Sequence, residues 1–174
     1  MIILLMRHGE KLRGELSKDG VRRSKYFPTY FRDFRPDGVP FPTHLVSMKS
    51  KHRSSSHRCI DTMIPMMREF RTSLNIEFTR EDIFGLVNHI KVLPDDAVVL
   101  ICWEHHWLVN IVKALGFPVL DWNATPISDP VDSQRFDLLW KIDGNTFESF
   151  ATFAMDDGRP SIYCHPLRQT YKKF

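Results

Sequence analysis

The amino-acid sequence predicts an α/β fold: a three-layer sandwich with a mainly parallel central sheet and antiparallel additions. Two short, continuously apolar runs, at residues 2–6 and 97–102, are typical of strands that are covered on both faces in a parallel sheet. Patterns for strand, loop and helix alternate along the first two thirds of the chain. Near the end, two β-type runs at residues 136–142 and 146–153 flank a short turn at residues 143–145, which predicts an antiparallel hairpin.

The other elements follow from periodicity and from turn-forming residues. In chain order they are a helix at residues 21–31 capped by residues 17–20, a second strand at 44–48, a helix at 56–70, a third strand at 75–79, and helices at 80–93 and 107–115. Two prolines within residues 35–40 close the first helix, and Gly116 terminates the last one. Pro65 predicts a kink or a split in the second helix.

Size and composition indicate one globular domain over residues 1–174. Of the 174 residues, 43% are hydrophobic, and 24 basic residues face 21 acidic ones. This near balance argues against a dedicated nucleic-acid binder, as does the lack of aromatic residues in the basic segment at residues 49–58. The three cysteines, Cys59, Cys102 and Cys164, show no paired short spacing, so neither a disulfide framework nor a zinc site is expected.

The cysteine usage fits a reducing, cytoplasmic setting. The apolar opening run lacks a basic region and a cleavage site, so it reads as a buried strand rather than a signal peptide. No other apolar run approaches the ~20 residues that a membrane span needs. We therefore expect a soluble protein without a membrane partner, and its oligomeric state stays open.

Histidine and arginine side chains follow three of the predicted strands, at the sheet edge where ligands bind in open α/β folds. The first strand leads to Arg7 and His8, the second to the segment that carries Arg58, and the fourth to His105. Guanidinium groups bind phosphate bidentately and stay protonated. The pattern predicts a site for anionic, phosphate-type chemistry.

Four sequence segments resemble the histidine phosphatase superfamily, also called phosphoglycerate mutase-like. Residues 5–11 read Leu-Met-Arg-His-Gly-Glu-Lys and resemble its Arg-His-Gly signature. Residues 16–20 resemble the family's Leu-Thr/Ser-x-x-Gly helix start, residues 56–62 its Ser-x-Arg-x-x-x-Thr segment, and residues 99–105 the strand before its second histidine. These segments occur in order over residues 1 to about 115, and the resemblance implies a phosphoglycerate mutase-like fold.

The resemblance also implies roles for four residues: His8 is the nucleophile, Arg7 and Arg58 bind phosphate oxygens, and His105 completes the pocket. Fixed cations aimed at the equatorial oxygens of a phosphoryl group can replace a metal, so we expect neither a metal nor another cofactor. A histidine attacks only when neutral, and neighbouring cations lower its pKa. A carbonyl hydrogen bond to Nδ1 would leave Nε2 free to attack, and Gly9 would allow close packing behind the ring.

The leaving oxygen needs a proton, and the sequence offers several acids as the donor. Family members commonly place an acidic residue after the second arginine, which favours Glu81 and leaves Glu77 and Asp82 as alternatives. Glu104 is a further candidate. Besides the two arginines, the residues expected to contact the substrate are Glu10, Lys11 and Glu104.

The second histidine stands in an unusual context. Where family members often read Ser-His-Gly, this chain has Glu104, His105 and His106. Strand geometry favours His105 as the residue that faces the pocket. Adjacent residues on one strand point to opposite faces, so the histidine pair is not expected to bind a metal.

The most economical function is a phosphatase that hydrolyses a phosphomonoester or a phosphoprotein through a phosphohistidine. Mutases of the family carry a longer substrate-gripping segment after the signature, whereas only residues 11–15 separate the signature from Leu16 here. Hydrolysis is therefore preferred to a phosphoglycerate-type mutase reaction. The alternative from another class is a catalytically silent module that recognises a phosphorylated partner through Arg7 and Arg58.

Overall fold

The computed structural model describes residues 1–50, 56–118, 135–162 and 169–172, and the following statements concern these residues. In chain order, the strands and helices are β1 (Ile2–Arg7), β2 (Lys11–Leu12), β3 (Glu15–Leu16), α1 (Lys18–Thr29), β4 (His44–Ser47), α2 (Arg58–Glu69), β5 (Leu74–Asn75), α3 (Ile83–Lys91), β6 (Val98–Trp103), α4 (His105–Ala114), β7 (Leu138–Asp143), β8 (Thr146–Ala151), β9 (Phe153–Asp156), β10 (Arg159–Ile162) and β11 (Gln169–Lys172). None of the helices in this part of the chain is long and apolar enough to cross a bilayer.

Seven strands form the central sheet in the order β11-β8-β7-β1-β6-β4-β5. Parallel pairing joins β1 to β6, β6 to β4 and β4 to β5. Antiparallel pairing joins β1 to β7, β7 to β8 and β8 to β11. Because β8 reverses the direction of β7, it runs the same way as β1, so the sheet is mainly parallel in strand direction. The predicted parallel sheet with antiparallel additions is confirmed.

Each face of the sheet is covered by two helices. Along β1 the side chains alternate: Leu4 and Met6 belong to a core with residues of α1 and α2, whereas Ile3 and Leu5 belong to a core with residues of α3 and α4. This alternation explains why the whole of β1 is apolar, since both faces of the strand are buried. The three-layer sandwich predicted from the sequence is confirmed.

The first helix starts where its cap was predicted but differs in extent. The Ser17 hydroxyl accepts a hydrogen bond from the Gly20 N–H at 3.1 Å, and α1 begins at Lys18. The regular helix ends at Thr29 and continues as a π-helical turn at Tyr30–Phe34. The aromatic side chains of Tyr30 and Phe31, at the start of this π-helical turn, are buried in the core beneath the sheet.

The second helix is not split by its proline. α2 runs unbroken through Pro65, which lacks the N–H that would bond to the Asp61 carbonyl. That carbonyl oxygen instead accepts a hydrogen bond from the Ser24 hydroxyl of α1 at 2.9 Å. The neighbouring helix therefore satisfies the group that the proline leaves open. Of the predicted kink or split, the split is wrong, and the kink stays a prediction.

Two elements in the middle of the chain are shorter than predicted. The third strand is only Leu74–Asn75, because the Asn75 side-chain oxygen accepts the Glu77 N–H at 2.9 Å and turns the chain there. The predicted helix over residues 80–93 is α3, which begins at Ile83 because the Asp82 carboxylate accepts the Gly85 N–H at 3.0 Å.

The predicted hairpin near the end of the chain is confirmed. β7 and β8 pair from Leu138–Ala151 to Asp143–Thr146, and Gly144 adopts φ +55° in the turn between them. A second hairpin, formed by β9 and β10, was not predicted. Cys164 and residues 51–55 of the basic segment lie outside the described residues.

Candidate active site

The candidate site lies at the carboxyl ends of β1 and β6. Arg7 is the last residue of β1 and lies opposite Trp103, the last residue of β6. His8 and the Glu104–His105 segment follow these strand ends directly. Arg7 and His8 are both buried, with 1% of their surface exposed.

The His8 ring has a defined tautomer. Its Nδ1 lies 2.7 Å from the Gly9 carbonyl oxygen. Because a carbonyl oxygen only accepts, Nδ1 carries the proton and Nε2 carries the lone pair. The hydrogen bond expected from the sequence is therefore present.

The His8 ring is also held neutral. Burial is the largest cause that lowers its pKa, to about 3, and the positive charges of Arg58, Arg7 and His105 lower it further against the opposing effect of the Gly9 hydrogen bond. The sequence predicted the direction but named only the cations, whereas loss of hydration outweighs them. The charges of Arg7, Arg58 and His105, which lie at or after the ends of three different strands, therefore all act on the pKa of this one imidazole.

The segment behind His8 is packed backbone to backbone. The Gly9 N–H donates to Thr62 Oγ1 at 2.9 Å, and this hydroxyl donates to the Arg58 carbonyl at 2.7 Å. A Cβ atom added to Gly9 would lie 2.9 Å from the Gly20 carbonyl oxygen, which is closer than such atoms approach. The close packing predicted for Gly9 is present, and it explains why glycine occurs at both positions.

Arg7 lies against an aromatic ring that the sequence did not indicate. Its guanidinium carbon is 4.1 Å from the centroid of the Phe136 ring, and this ring also lies 5.9 Å from the ring of His8. Nη1 is 3.5 Å from the Arg135 carbonyl oxygen, whereas Nε is buried without a hydrogen-bond partner among the described residues. Burial, together with the charge of Arg58, lowers the pKa of Arg7 to about 10, so the group stays protonated at neutral pH.

Arg58 is the first residue of α2 and reaches two other segments. Nη1 donates to the Gly14 carbonyl at 3.0 Å, in the turn between β2 and β3. Nη2 contacts the Glu104 carboxylate at 3.4 Å. Nε is buried and, within the described part of the chain, has no hydrogen-bond partner. Counting partners in the described part of the chain, Arg7 and Arg58 thus each keep one unsatisfied N–H donor, and the charges of both act on His8.

The histidine pair occupies a different element from the one predicted. The Glu104 carbonyl accepts the N–H groups of Trp107 and Leu108, both at 3.0 Å, so α4 begins at His105. The rings of His105 and His106 lie 3.8 Å apart between centroids, so the argument that they point to opposite faces of a strand is wrong. His105 is the one that affects the pKa of His8, and His106 is exposed.

The four candidate proton donors make different contacts. Asp82 caps α3, and Glu77 lies beside Asn75, with 3.5 Å between its carboxylate and the amide nitrogen. Glu81 pairs with Arg80 at 2.9 Å. Arg80 also contacts Glu104 at 3.5 Å, so an alternating chain of charges runs from Glu81 through Arg80 and Glu104 to Arg58.

The two other residues expected to contact the substrate lie at the base of the β2–β3 hairpin. Both carboxylate oxygens of Glu10 accept hydrogen bonds from Arg23, with a shortest distance of 2.6 Å. Lys11 is exposed, and the Ser17 N–H closes the hairpin on the Glu10 carbonyl at 2.8 Å. The Glu10 carboxylate therefore already has a strong partner within the protein, which the sequence did not indicate.

Two further features bear on the chemistry. Cys59 and Cys102 are buried free thiols, and burial, with the hydrogen bond between them, raises the pKa of Cys102 well above its usual value. Such a thiol is a poor nucleophile. Across the described residues, no three His, Cys, Asp or Glu side chains are grouped so as to hold a metal ion.

Comparison with solved structures gives clear matches, although no protein-family model and no curated protein matches the sequence. The mycobacterial glucosyl-3-phosphoglycerate phosphatase in complex with VO3 has a TM-score of 0.56 at 12% identity, covering 93% of this chain and 98% of that one. A structure named mycobacterial hydrolase 2 has a TM-score of 0.54 at 13% identity, covering 99% and 90%. The protein histidine phosphatase SixA in complex with tungstate has a TM-score of 0.50 at 14% identity, covering 99% and 97%.

These similarities identify the fold, which this chain shares with the glucosyl-3-phosphoglycerate phosphatase and with the protein histidine phosphatase SixA. The fold implied by the sequence resemblance is therefore confirmed. One fold can host several activities, so the function of this chain depends on the chemistry of its site.

Proposed function

We propose that this protein is a metal-independent phosphatase that hydrolyses a phosphomonoester or a phosphoprotein through a phosphohistidine on His8. The observation that carries the proposal is the state of the His8 ring. It is neutral, its Nδ1 donates to the Gly9 carbonyl at 2.7 Å, and its Nε2 therefore carries the lone pair. Beside it, the buried Nε groups of Arg7 and Arg58 have no hydrogen-bond partner among the described residues, as suits donors that serve an anion.

In the first proposed step, Arg7 and Arg58 hold the phosphoryl oxygens and Nε2 of His8 attacks phosphorus. The bond from phosphorus to the leaving oxygen breaks as the bond to nitrogen forms. The charge on the equatorial oxygens is stabilised by the two guanidinium groups, which are already in place before the reaction. His105, whose charge lowers the pKa of His8, completes the pocket beside the transferred group.

In the second step, water attacks the phosphorus of the phosphohistidine. The P–N bond breaks, the proton of the attacking water passes to the carboxylate that protonated the leaving oxygen in the first step, phosphate leaves, and His8 regains its lone pair. The Gly9 carbonyl keeps the Nδ1 proton in place throughout, so Nε2 remains the reacting atom. Hydrolysis rather than transfer to a second substrate is supported by the tight β2–β3 hairpin, which leaves no long segment after the Arg-His-Gly signature.

Glu81 remains our proposed donor of the proton to the leaving oxygen. Its support is its position: Glu81 lies next to Arg80, whose guanidinium also contacts Glu104 beside His105, whereas the Asp82 carboxylate caps α3. We expect Glu81→Gln to lower kcat by about 10²-fold for an alkyl phosphate and much less for p-nitrophenyl phosphate, whose leaving group needs no proton. An equal loss for both substrates would contradict this role.

The proposed substrate is a phosphorylated small molecule or a phosphoprotein. The names of two proteins of the same fold cover both kinds, since one is a glucosyl-3-phosphoglycerate phosphatase and the other a protein histidine phosphatase. We propose no nucleic-acid or membrane partner.

The test is hydrolysis of p-nitrophenyl phosphate with and without EDTA. We expect turnover that is insensitive to the chelator and that falls by about 10⁴-fold or more in His8→Ala. His44→Ala is the matched control, because His44 lies at the start of β4, the opposite end of the sheet from the site. Loss of turnover in EDTA would contradict the metal-independent mechanism.

The same experiment separates the enzyme from a silent binding module. A module would bind inorganic phosphate through Arg7 and Arg58 but hydrolyse nothing across a broad panel of phosphoesters. Acid-labile radioactive phosphate on the protein, formed during turnover and absent in His8→Ala, supports the phosphohistidine. Turnover without such labelling, even after rapid quenching, would point to direct attack by water instead.

A further inference from the structure

We infer that Glu104 competes with the substrate's phosphoryl group for Arg58, and that Arg80 takes over the Glu104 carboxylate when the phosphoryl group binds. The inference rests on the proposed function only in naming a phosphoryl group as the anion. It assigns Glu104 a role as a positioning residue, distinct from a proton donor, and gives Arg80 a role that the sequence did not suggest.

The first observation is where the Glu104 side chain points. Glu104 is the N-cap residue of α4, a position at which the shorter Ser, Thr, Asp and Asn side chains commonly accept a hydrogen bond from the first turn. Here the side chain makes no capping hydrogen bond. Its carboxylate lies between Arg58, with Nη2 at 3.4 Å, and Arg80, with Nη1 at 3.5 Å.

The second observation concerns the donor that Glu104 contacts. A guanidinium binds an anion bidentately along an edge, and the edge formed by Nε and Nη2 of Arg58 is the one not used by the Gly14 carbonyl. Nε on this edge has no hydrogen-bond partner among the described residues, and Nη2 contacts Glu104. Glu104 therefore already contacts one of the two nitrogens that a phosphoryl group bound on this edge would use.

The third observation is the length of the contacts. Strong charge-assisted bonds between nitrogen and oxygen measure about 2.7–2.9 Å. Both contacts of Glu104 are longer, at 3.4 and 3.5 Å, whereas Glu10 approaches Arg23 to 2.6 Å. A dianionic phosphoryl group brings more charge and better geometry than one distant carboxylate, so it can displace Glu104 from Arg58.

Arg80 is placed to receive the displaced carboxylate. Its backbone is fixed, because its carbonyl accepts the Trp103 indole N–H at 3.2 Å, and its guanidinium lies 5.7 Å from the Trp107 ring. Without Arg80, Glu104 would keep its charge beside the incoming anion and repel it. With Arg80, the negative charge of Glu104 stays partly neutralised after Arg58 has been released.

This arrangement predicts that two substitutions change the affinity for phosphate in opposite directions. Glu104→Gln removes the competing charge, so inorganic phosphate should bind more tightly, by about two- to fivefold, the range for one partly exposed ion pair. Arg80→Gln leaves Glu104 with Arg58 as its main partner, so phosphate should bind more weakly by a similar factor. In the double variant, loss of Arg80 should have little further effect, because Glu104 no longer carries a charge.

The experiment measures the dissociation constant of inorganic phosphate by calorimetry, and its inhibition constant against p-nitrophenyl phosphate. Glu69→Gln is the matched control, since Glu69 forms an exposed pair with Arg32 at 3.0 Å that involves no site residue, and its phosphate affinity should equal that of the wild type. Tighter binding in Glu104→Gln, together with the non-additive double variant, supports the inference.

Three results would overturn it. One is weaker phosphate binding in both single variants, as expected if Glu104 and Arg80 only support the local structure. Another is an Arg80→Gln effect that persists undiminished in the Glu104→Gln background. The last is unchanged phosphate affinity in Glu104→Gln with a kcat loss that grows as the leaving group worsens, which would make Glu104 the proton donor. A wild-type protein that binds phosphate but hydrolyses nothing would contradict the proposed function and leave this binding test intact.

Discussion

Two arginine–glutamate pairs flank His8, and they differ in how completely the arginine is used. Arg23 donates to both oxygens of Glu10 and to the Phe153 carbonyl at 2.7 Å, and its side chain is 3% exposed. Arg58 meets Glu104 only at 3.4 Å, is 13% exposed, and has a buried Nε without a hydrogen-bond partner among the described residues. An arginine whose donors are satisfied within the protein holds the fold together, whereas one that keeps a donor unsatisfied at a strand end is suited to bind a ligand.

The largest expected effect on stability comes from the pair of Arg23 and Glu10, in which the donors of the arginine are satisfied. Arg23→Met removes the partner of a carboxylate that is mostly buried, so the free energy of unfolding should fall by about 3 kcal/mol. Urea denaturation measures it. The control is Arg22→Met on the same helix, whose exposed pair with Asp19 contributes less than about 1 kcal/mol. Equal losses of unfolding free energy in Arg23→Met and Arg22→Met would show that the buried pair stabilises the protein no more than the exposed one.

Substitution of Arg58, which keeps an unsatisfied donor, should lower activity strongly and stability little. Arg58→Ala removes a donor aimed at the transferred group, so kcat/KM for p-nitrophenyl phosphate should fall by about 10²- to 10³-fold. The free energy of unfolding should change by about 1 kcal/mol or less. Arg68→Ala, an exposed residue of the same helix, controls for effects on α2. A large loss of stability in Arg58→Ala, with kcat/KM nearly unchanged, would show that Arg58 holds the fold together instead of binding the substrate.

The close contact between the start of α1 and the segment after His8 is next in size. A Cβ atom at Gly20 would overlap the carbonyl oxygen of Glu10, directly behind the His8 segment. Gly20→Ala should therefore destabilise the protein by about 1–3 kcal/mol, although alanine ordinarily stabilises a helix relative to glycine. Thermal unfolding of this variant beside Lys18→Ala, an exposed change in the same turn, tests it. A Gly20→Ala protein more stable than the wild type would refute the close approach.

The smallest effect at neutral pH is a dependence of stability on pH, which comes from His8 and grows only as the pH falls below 6.5. Its pKa is about 3 in the folded protein against 6.5 in the unfolded chain, so between these values the unfolded state binds a proton that the native state does not. The contribution of neutral His8 to stability is complete above pH 6.5 and is lost as the pH falls towards 3. The wild type should lose up to about 1.4 kcal/mol per pH unit more than His8→Asn in this window. Parallel stability curves from urea titrations would show that His8 is not held neutral.

The comparison also shows which parts of the site were readable in advance. Arg7 and His8 follow an unmistakable buried strand, and the register of β1 with β6 brings the His105 segment beside them. The position of the histidine pair was misjudged by one element, because hydrogen bonds to the Glu104 carbonyl start the helix earlier than hydrophobic periodicity indicates. Phe136 under Arg7 had no sequence signal, since its place depends on β7 lying next to β1.

By itself, the sequence determined the layered architecture and the chemical character of the site, because apolar runs, caps and the strand-end histidines and arginines are local patterns. Only the tertiary structure decided which charges pair. Glu10 and Glu104 both stand next to a predicted site residue, yet one is held by Arg23 at 2.6 Å and the other lies loosely between Arg58 and Arg80. The strength of an ion pair depends on distance, burial and competing partners in three dimensions, and sequence spacing carries none of these.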